Sequence, residues 1–266
     1  MQKQLDRKHA GLPGRGAGLL MMGLLVGVVV LGLASPAAAL PVTLEDGSSV
    51  VTIDPGAQEG LQAWAVNGIT HVRTQWFWVR VGSAGPERSV DTLGETARIV
   101  SDTNGDGHAD TLFLALADPE QRFTLRLRWA LSGSPFAPPT AGAAADLALQ
   151  ITLTNTSGAP LDVSLFQYTD VDLFGSFADD AALWSGVGGP NTALVTDSTG
   201  LAEWESVWTP RPSEVEASLY GSMLASLNDG VATVLSGATS AEARSSRSRD
   251  ESVIVWRDSA APATRA

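Results

Sequence analysis

Two stretches of strict alternation between apolar and polar residues constrain the fold of this chain most strongly. Every second residue from 123 to 131 is Phe, Leu or Trp, and every second residue from 147 to 153 is Leu or Ile. Successive side chains of a β-strand point to opposite faces, so a period of two predicts two half-buried strands. A third apolar run, 161–165, follows a turn at 155–160 that contains Gly and Pro. We expect the three strands to form an antiparallel meander.

A meander with one apolar face needs a second sheet to cover that face. Two further hairpins supply strands for it, one at 42–53 around Asp46-Gly47 and one on either side of Asn67-Gly68, a signal for a type I′ turn. The sequence therefore predicts an all-β fold, an antiparallel β-sandwich that forms a single domain.

The N-terminus has the pattern of a Sec-type signal peptide. Four basic residues between 3 and 15 precede an apolar run at 19–34 and the sequence Ala37-Ala38-Ala39. We expect cleavage after Ala39, because the apolar run is short for a spanning helix of ~20 residues and ends in an Ala-x-Ala site. The alternative is an uncleaved membrane anchor. The predicted organisation is a signal peptide at 1–39, a sandwich at 40–240 and an irregular or disordered, Arg- and Ser-rich tail at 241–266.

The charge of the mature chain excludes several classes of function. Without 1–39 it has 13 basic residues, none of them lysine, against 28 acidic ones, a net charge of −15. Such a surface repels nucleic acid and anionic membranes but suits cations. The chain has no Cys, which excludes thiolate zinc sites and cysteine nucleophiles. We expect an exported protein with no stable membrane anchor after cleavage.

The most specific local motif is a candidate calcium loop between two apolar runs. Its candidate ligands alternate along the chain: Asp102, Asn104, Asp106, His108 and Asp110. Alternating oxygen ligands with a Gly at the sixth position resemble the first part of a calcium loop, although the twelfth position is not Glu. A strand-loop-strand site, as in FG-GAP repeats, fits better than a helix-loop-helix hand. The predicted role of Ca²⁺ is structural, and an ordinary hairpin turn is the alternative.

A second candidate site uses aromatic residues. Trp76 and Trp78 lie in a run that is apolar on both strand faces, which indicates either a covered central strand or rings presented to a ligand. Tyr168, Asp170 and Asp172 share one face of a later strand. Together they are a weak candidate for binding a sugar or a cation. The alternatives are core packing for the rings and a solvated strand end for the carboxylates.

Several stretches resemble a group of secreted bacterial proteins that carry a PEP-CTERM sorting signal and have no established activity: 75–82, 89–94, 102–112, 146–155, 166–172 and 216–230. The resemblance implies a single-domain β-sandwich, exported to the envelope of bacteria that make exopolysaccharide. The chain departs from that pattern because it has no closing Pro-Glu-Pro motif, transmembrane helix and basic end. We hypothesise that the reading frame shifts near Ser240.

Three functions remain open at this point. The leading one is a non-catalytic protein of the bacterial envelope or extracellular matrix, stabilised by calcium and in contact with extracellular polysaccharide. The second is a carbohydrate-binding module that uses the exposed aromatics. The third is a sugar-active enzyme of mutarotase-like fold, by analogy of fold alone. We predict no catalytic residues, since the mature chain has only His71 and His108 and no Gly-x-Ser-x-Gly elbow.

Overall fold

The computed structural model describes residues 40–135, 143–175, 180–185, 191–199, 202–207, 212–242 and 252–260. The predicted signal peptide lies outside these residues. Within the described ranges, no helix is both long enough and apolar enough to span a bilayer.

The described residues form sixteen β-strands, one α-helix and two short 3₁₀ turns at Val90–Thr92 and Leu173–Gly175. In chain order the elements are β1 Val42–Asp46, β2 Ser49–Asp54, β3 Gly60–Val66, β4 Ile69–Val81, β5 Arg88–Ser89, β6 Gly94–Ser101, β7 Thr111–Ala117, β8 Phe123–Gly133, β9 Ala145–Asn155, β10 Val163–Val171, β11 Ala181–Ser185, β12 Asn191–Thr196, β13 Ala202–Val207, β14 Glu214–Leu219, α1 Tyr220–Asn228, β15 Ser240–Glu242 and β16 Ser252–Ala260.

The strands build three antiparallel sheets. The large sheet has eight strands in the order β1-β2-β3-β4-β10-β16-β14, with β5 paired to β4. A second sheet has the order β6-β7-β8-β9, and a third has the order β13-β12-β11-β15. This architecture confirms the predicted all-β sandwich.

The core explains why the alternating stretches fold as they do. On β8, Leu125 and Leu127 are fully buried, whereas Arg126 between them is exposed. The buried leucines belong to one apolar cluster with Leu44 and Val51 of the large sheet. Burying a Leu side chain stabilises a fold by about 2 kcal/mol, so this face fixes the register of the sheet.

The turn between β3 and β4 has the predicted type I′ geometry. Asn67 and Gly68 both have positive φ, 52° and 78°. Both central residues of a type I′ turn need this left-handed conformation, which Asn and Gly adopt at the least cost. The turn aligns Val66 with Ile69 and starts the longest strand of the large sheet.

The third strand of the predicted meander lies elsewhere, so that part of the prediction is wrong. Strands β8 and β9 do pair, with Leu127 opposite Ile151. Strand β10, however, pairs with β4 and β16 in the large sheet. Its residues are buried on both faces for most of its length, as a central strand requires. A polar turn of this composition fits a crossing between sheets as well as a hairpin within one.

The predicted irregular tail also differs from the structure. Strand β16 lies between β10 and β14, with Val255 opposite Tyr168 and Ile254 opposite Ala217. The short run Val253 to Trp256 provides the β-branched and aromatic residues of this strand. A strand with neighbours on both sides gains hydrogen bonds along its whole length, so tertiary context outweighs the polar composition around it. The rest of the predicted tail, 243–251 and 261–266, lies outside the described residues.

Candidate functional site

The aromatic residues of the candidate sugar-binding site lie inside the protein. Trp76, Trp78 and Tyr168 are each 0% exposed. The rings of Trp78 and Tyr168 meet edge to face, with centroids 6.0 Å apart. The two indole N–H groups donate to Asp91 and Asn228, each at 3.3 Å. The structure therefore has these rings in the core, where they cannot stack on a sugar from solvent.

Asp170 and Asp172 are buried as well, each with 1% of its surface exposed. The Oδ2 atom of Asp172 lies 3.5 Å from Nη1 of Arg73, and its backbone N–H donates to the carbonyl of His71. The prediction of a surface sugar or cation site is corrected, and so is the alternative of a solvated strand end. These carboxylates belong to the interior, where an ion pair offsets part of the cost of burying charge.

His71, one of the two histidines of the predicted mature chain, is half-buried on β4. Its ring packs edge to face on Phe174, with centroids 6.4 Å apart. Burial lowers the pKa of His71, while the negative charge of Asp197 acts in the opposite direction. A lowered pKa keeps the imidazole neutral near pH 7. His71 and Asp197 alone do not define a catalytic arrangement.

The predicted calcium loop joins β6 to β7, so it lies between two strands as expected. Its polar side chains bind the loop's own backbone. The Asp102 carboxylate accepts hydrogen bonds from the N–H groups of Gly105 and Gly107, at 2.6 and 2.9 Å. Asn104 and Asp106 each accept from the N–H two residues later, both at 2.9 Å. These Asx turns hold the loop in a compact, exposed conformation.

Asp110 closes the loop from below and is only 4% exposed. Its Oδ1 accepts from the N–H of Thr103 at 3.0 Å, and its Oδ2 accepts from the hydroxyl of Thr103 at 2.9 Å. The hydroxyl of Thr111 donates to Oδ1 at 2.9 Å. Burial by itself raises the pKa of Asp110, but the hydrogen bonds from Thr103, Thr111 and the backbone of Asn104 outweigh it and lower the pKa.

The described carboxylates of the loop are not gathered around one centre. Among the residues that the structure describes, no group of three or more Asp, Glu or His side chains is placed to hold a metal ion. His108 instead points its Nδ1 at Glu45, with 3.3 Å between Nδ1 and Oε2. Each carboxylate oxygen has two lone pairs, so Asp102 and Asp106 can bind Ca²⁺ once they turn toward a common point. Calcium binding stays a prediction.

An open groove of about 460 Å³ crosses the outer face of the β6–β9 sheet. Strand register brings one row of lining residues side by side across four strands: Ile99, Phe113, Arg128 and Gln150. In the next row, Arg126 lies opposite Thr152 and lines the groove with it. The row on the other side contains Ser101 and Thr111, next to the loop.

The calcium-loop candidate and the groove share a boundary. Thr103 lines the groove, and its backbone N–H donates a hydrogen bond to the buried carboxylate of Asp110. The loop that contains Asp102 and Asp106 therefore adjoins the groove, and both basic residues that line the groove come from β8. Since the strands beneath are fixed by their buried faces, the groove residues stand on a rigid support.

The two arginines of the groove differ from the other arginines whose side chains the structure describes. Seven arginine side chains are described, and five of them pair with carboxylates at 3.5 Å or less: Arg73, Arg80, Arg88, Arg98 and Arg122. The other two, Arg126 and Arg128, form no ion pair or hydrogen bond with another described side chain. Both are exposed, both line the groove, and none of the residues that line it is acidic.

The sequence matches no family model and no curated protein. Among solved structures, it is similar to a bacterial glucoamylase complexed with acarbose, with a TM-score of 0.56 and 9% sequence identity. The likeness covers 83% of this chain but only 30% of the glucoamylase chain. At this identity the likeness concerns the fold alone.

Sequence reasoning missed the groove, although its signal was present. The apolar residues of the alternation on β8 and β9 predicted the two strands. The polar residues between them include Arg126, Arg128, Gln150 and Thr152. Polar residues at every second position are the ordinary solvent face of an antiparallel sheet. Only the pairing of β8 with β7 and β9, which places Phe113 beside the polar residues, distinguishes a candidate binding surface from such a face.

Proposed function

We propose that this protein is a non-catalytic β-sandwich of the bacterial envelope or extracellular matrix that binds polysaccharide in the groove of the β6–β9 sheet. The observation that carries the proposal is the row of Phe113, Arg128 and Gln150 side by side on an open, rigid sheet face. The groove is open to solvent, which suits a chain-like ligand that extends beyond the contact on both sides.

The chemistry of the groove suits a sugar chain. Phe113 is partly exposed, and the apolar face of a sugar ring packs on an aromatic ring. The Gln150 amide offers a donor pair and an acceptor, and the hydroxyl of Thr152 offers a donor and an acceptor, so together they match sugar hydroxyl groups, which also donate and accept. Binding sites for small molecules combine apolar surface with a few polar groups in this way.

The cellular location in this proposal follows from the sequence. A Sec-type signal peptide with cleavage after Ala39 and the resemblance to exported proteins with PEP-CTERM signals both support export. The mature protein should then begin at Leu40, which N-terminal sequencing of material recovered outside the cytoplasm would test. A chain that still begins at residue 1 would contradict this part of the proposal.

Calcium has a structural place in the proposal. Asp102, Asn104 and Asp106 would hold the ion at the loop, where it would stiffen the end of the groove through Thr103. An ion at this point would also offset the negative charge that the loop presents to the groove.

The test is binding of residues 40–266 to a panel of neutral and acidic bacterial polysaccharides, measured by affinity electrophoresis. Replacing Phe113 by Ala should weaken binding about five- to tenfold, because the ring contact is lost. Thr154→Ala is the matched control, since Thr154 is exposed on the same sheet face but does not line the groove. Wild-type protein that binds no member of the panel would overturn the proposal, as would equal binding by both variants.

A further inference from the structure

The placement of positive charge in this protein is uneven. The mature chain has a net charge of −15, and five of the seven described arginine side chains are engaged by carboxylates. Arg126 and Arg128 are the two described guanidinium groups without such a partner, and both lie in the groove. An acidic protein has an abundant supply of carboxylates to neutralise a surface arginine, so two neighbouring exceptions in one groove require an explanation.

We infer that the groove binds an acidic polysaccharide, and that Arg126 and Arg128 pair with carboxylate groups on neighbouring uronic acid residues. The inference rests on the proposed function and adds the class of ligand. A guanidinium group presents N–H donors in a planar fork that matches a carboxylate with two parallel hydrogen bonds. The absence of acidic side chains among the lining residues leaves both forks open to a ligand.

The spacing of the two arginines suits a repeating ligand. Residues two apart along a strand point to the same face, and their Cα atoms are roughly 7 Å apart. Long, flexible arginine side chains can adjust this distance to carboxylates on successive sugars. Phe113, next to Arg128, then receives the apolar face of a sugar ring, while Gln150 on the other side of Arg128 receives a hydroxyl group.

The surrounding charge orients the ligand. The acidic loop that adjoins the groove at Thr103 disfavours a carboxylate nearby, so the charged groups of the ligand are directed to the β8 side. Exposed negative charges that lie more than about 10 Å from the groove act weakly on the ligand, because this is the Debye length at 0.1 M salt.

The experiment compares two forms of one polymer, polygalacturonic acid and the same chain with its carboxylates methyl-esterified. Binding to residues 40–266 is measured by isothermal titration calorimetry in EDTA, so that calcium cannot bridge protein and polymer. We expect the acidic form to bind at least about tenfold more tightly than the ester, since hydrogen bonds between charged groups are involved. Raising the salt from 50 to 200 mM should weaken the binding severalfold.

Variants assign the effect to the groove. Arg126→Gln and Arg128→Gln should each reduce affinity for the acidic form about tenfold and leave affinity for the ester unchanged. Arg98→Gln is the matched control, because it removes the same charge from the same sheet but Arg98 pairs with Glu95 and does not line the groove. Its affinity should equal that of the wild type. Thermal melting of each variant shows whether the fold is retained.

The outcomes separate this inference from the proposed function. Equal binding of the acid and the ester, with Phe113→Ala weakening both, would overturn the inference and leave a polysaccharide-binding groove. Equal loss of affinity in Arg98→Gln and Arg128→Gln would also overturn it, because the effect would then be one of net charge. Binding to no polysaccharide at all would overturn both.

Discussion

The carboxylate of Asp110 holds Thr103 at two points, since it accepts both the backbone N–H, at 3.0 Å, and the side-chain hydroxyl, at 2.9 Å. Thr103 in turn lines the groove on the β6–β9 sheet. A buried carboxylate thus connects the conformation of an exposed loop to the shape of the proposed binding surface. The loop and the groove should respond together to changes at Asp110.

Replacing Asp110 by Asn should lower the free energy of unfolding by about 2 kcal/mol, because the amide nitrogen would face hydrogen-bond donors in a buried position. Urea denaturation measures the change. Asp106→Asn is the control, since Asp106 is exposed and its change should stay within about 0.5 kcal/mol. Affinity for polysaccharide should also fall in Asp110→Asn. Equal stability of the two variants would contradict the role given to Asp110.

Calcium should raise the melting temperature of residues 40–266 if the loop binds it. A ligand at about 100 times its dissociation constant adds roughly 2.7 kcal/mol to the folded state, which corresponds to several degrees. Differential scanning calorimetry in EDTA and in millimolar Ca²⁺ measures the shift, and Asp106→Ala should abolish it. An identical melting temperature in both buffers would mean that the loop is held by its own Asx turns alone.

Asp118 should make the protein sensitive to acid. A hydrogen bond from Arg122 outweighs the opposing effect of burial and, together with a further bond from Arg88, lowers the pKa of Asp118 from 3.8 to about 2. The folded state therefore binds this proton less readily than the unfolded state. The resulting stability, about 2 kcal/mol, is present above pH 4 and is lost as the pH falls toward 2.

Asp118→Asn tests this contribution by urea denaturation at several pH values. The variant should be less stable than the wild type at pH 7, and its stability should fall less between pH 5 and pH 2. Glu120→Gln removes the other carboxylate near Arg122, and it should retain the wild-type pH dependence because Glu120 is exposed. Parallel pH profiles for wild type and Asp118→Asn would contradict the prediction.

Gly60 is packed against the core aromatic cluster and should not tolerate a side chain. It has φ of +55°, and a Cβ atom there would lie 1.8 Å from Cε3 of Trp76. Gly60→Ala should cost about 2–5 kcal/mol, the sum of left-handed backbone strain and overpacking. Gly68→Ala shares the positive φ but meets nothing within 4 Å, so it should cost only about 1–2 kcal/mol. Equal midpoints in urea would refute the packing explanation.

Local patterns in the sequence were sufficient for the elements that depend on near neighbours. The alternation on β8 and β9 predicted both strands, and Asn67-Gly68 predicted the turn between β3 and β4, because these features follow from side-chain direction and backbone angles within a few residues. The position of the loop from Asp102 to Asp110 between two strands was predicted on the same basis.

Predictions that depended on partners distant in the chain were less successful. Trp76 and Trp78 could have been core or surface, and burial by strands far away in sequence decided for the core. Strand β10 looked like a third meander strand, yet it pairs with β4. Backbone hydrogen bonds are the same for any neighbour, so local sequence does not specify which strand a given strand joins.

The sequence alone determined that this protein is an all-β sandwich with a strongly acidic composition, since strand periodicity and charge are properties of the chain itself. The tertiary structure decided where function can reside. It buried the predicted aromatics, and it aligned Phe113, Arg128 and Gln150 from three strands into one groove. The physical reason is register: residues far apart in sequence become neighbours only when packing of the buried faces fixes how the strands pair.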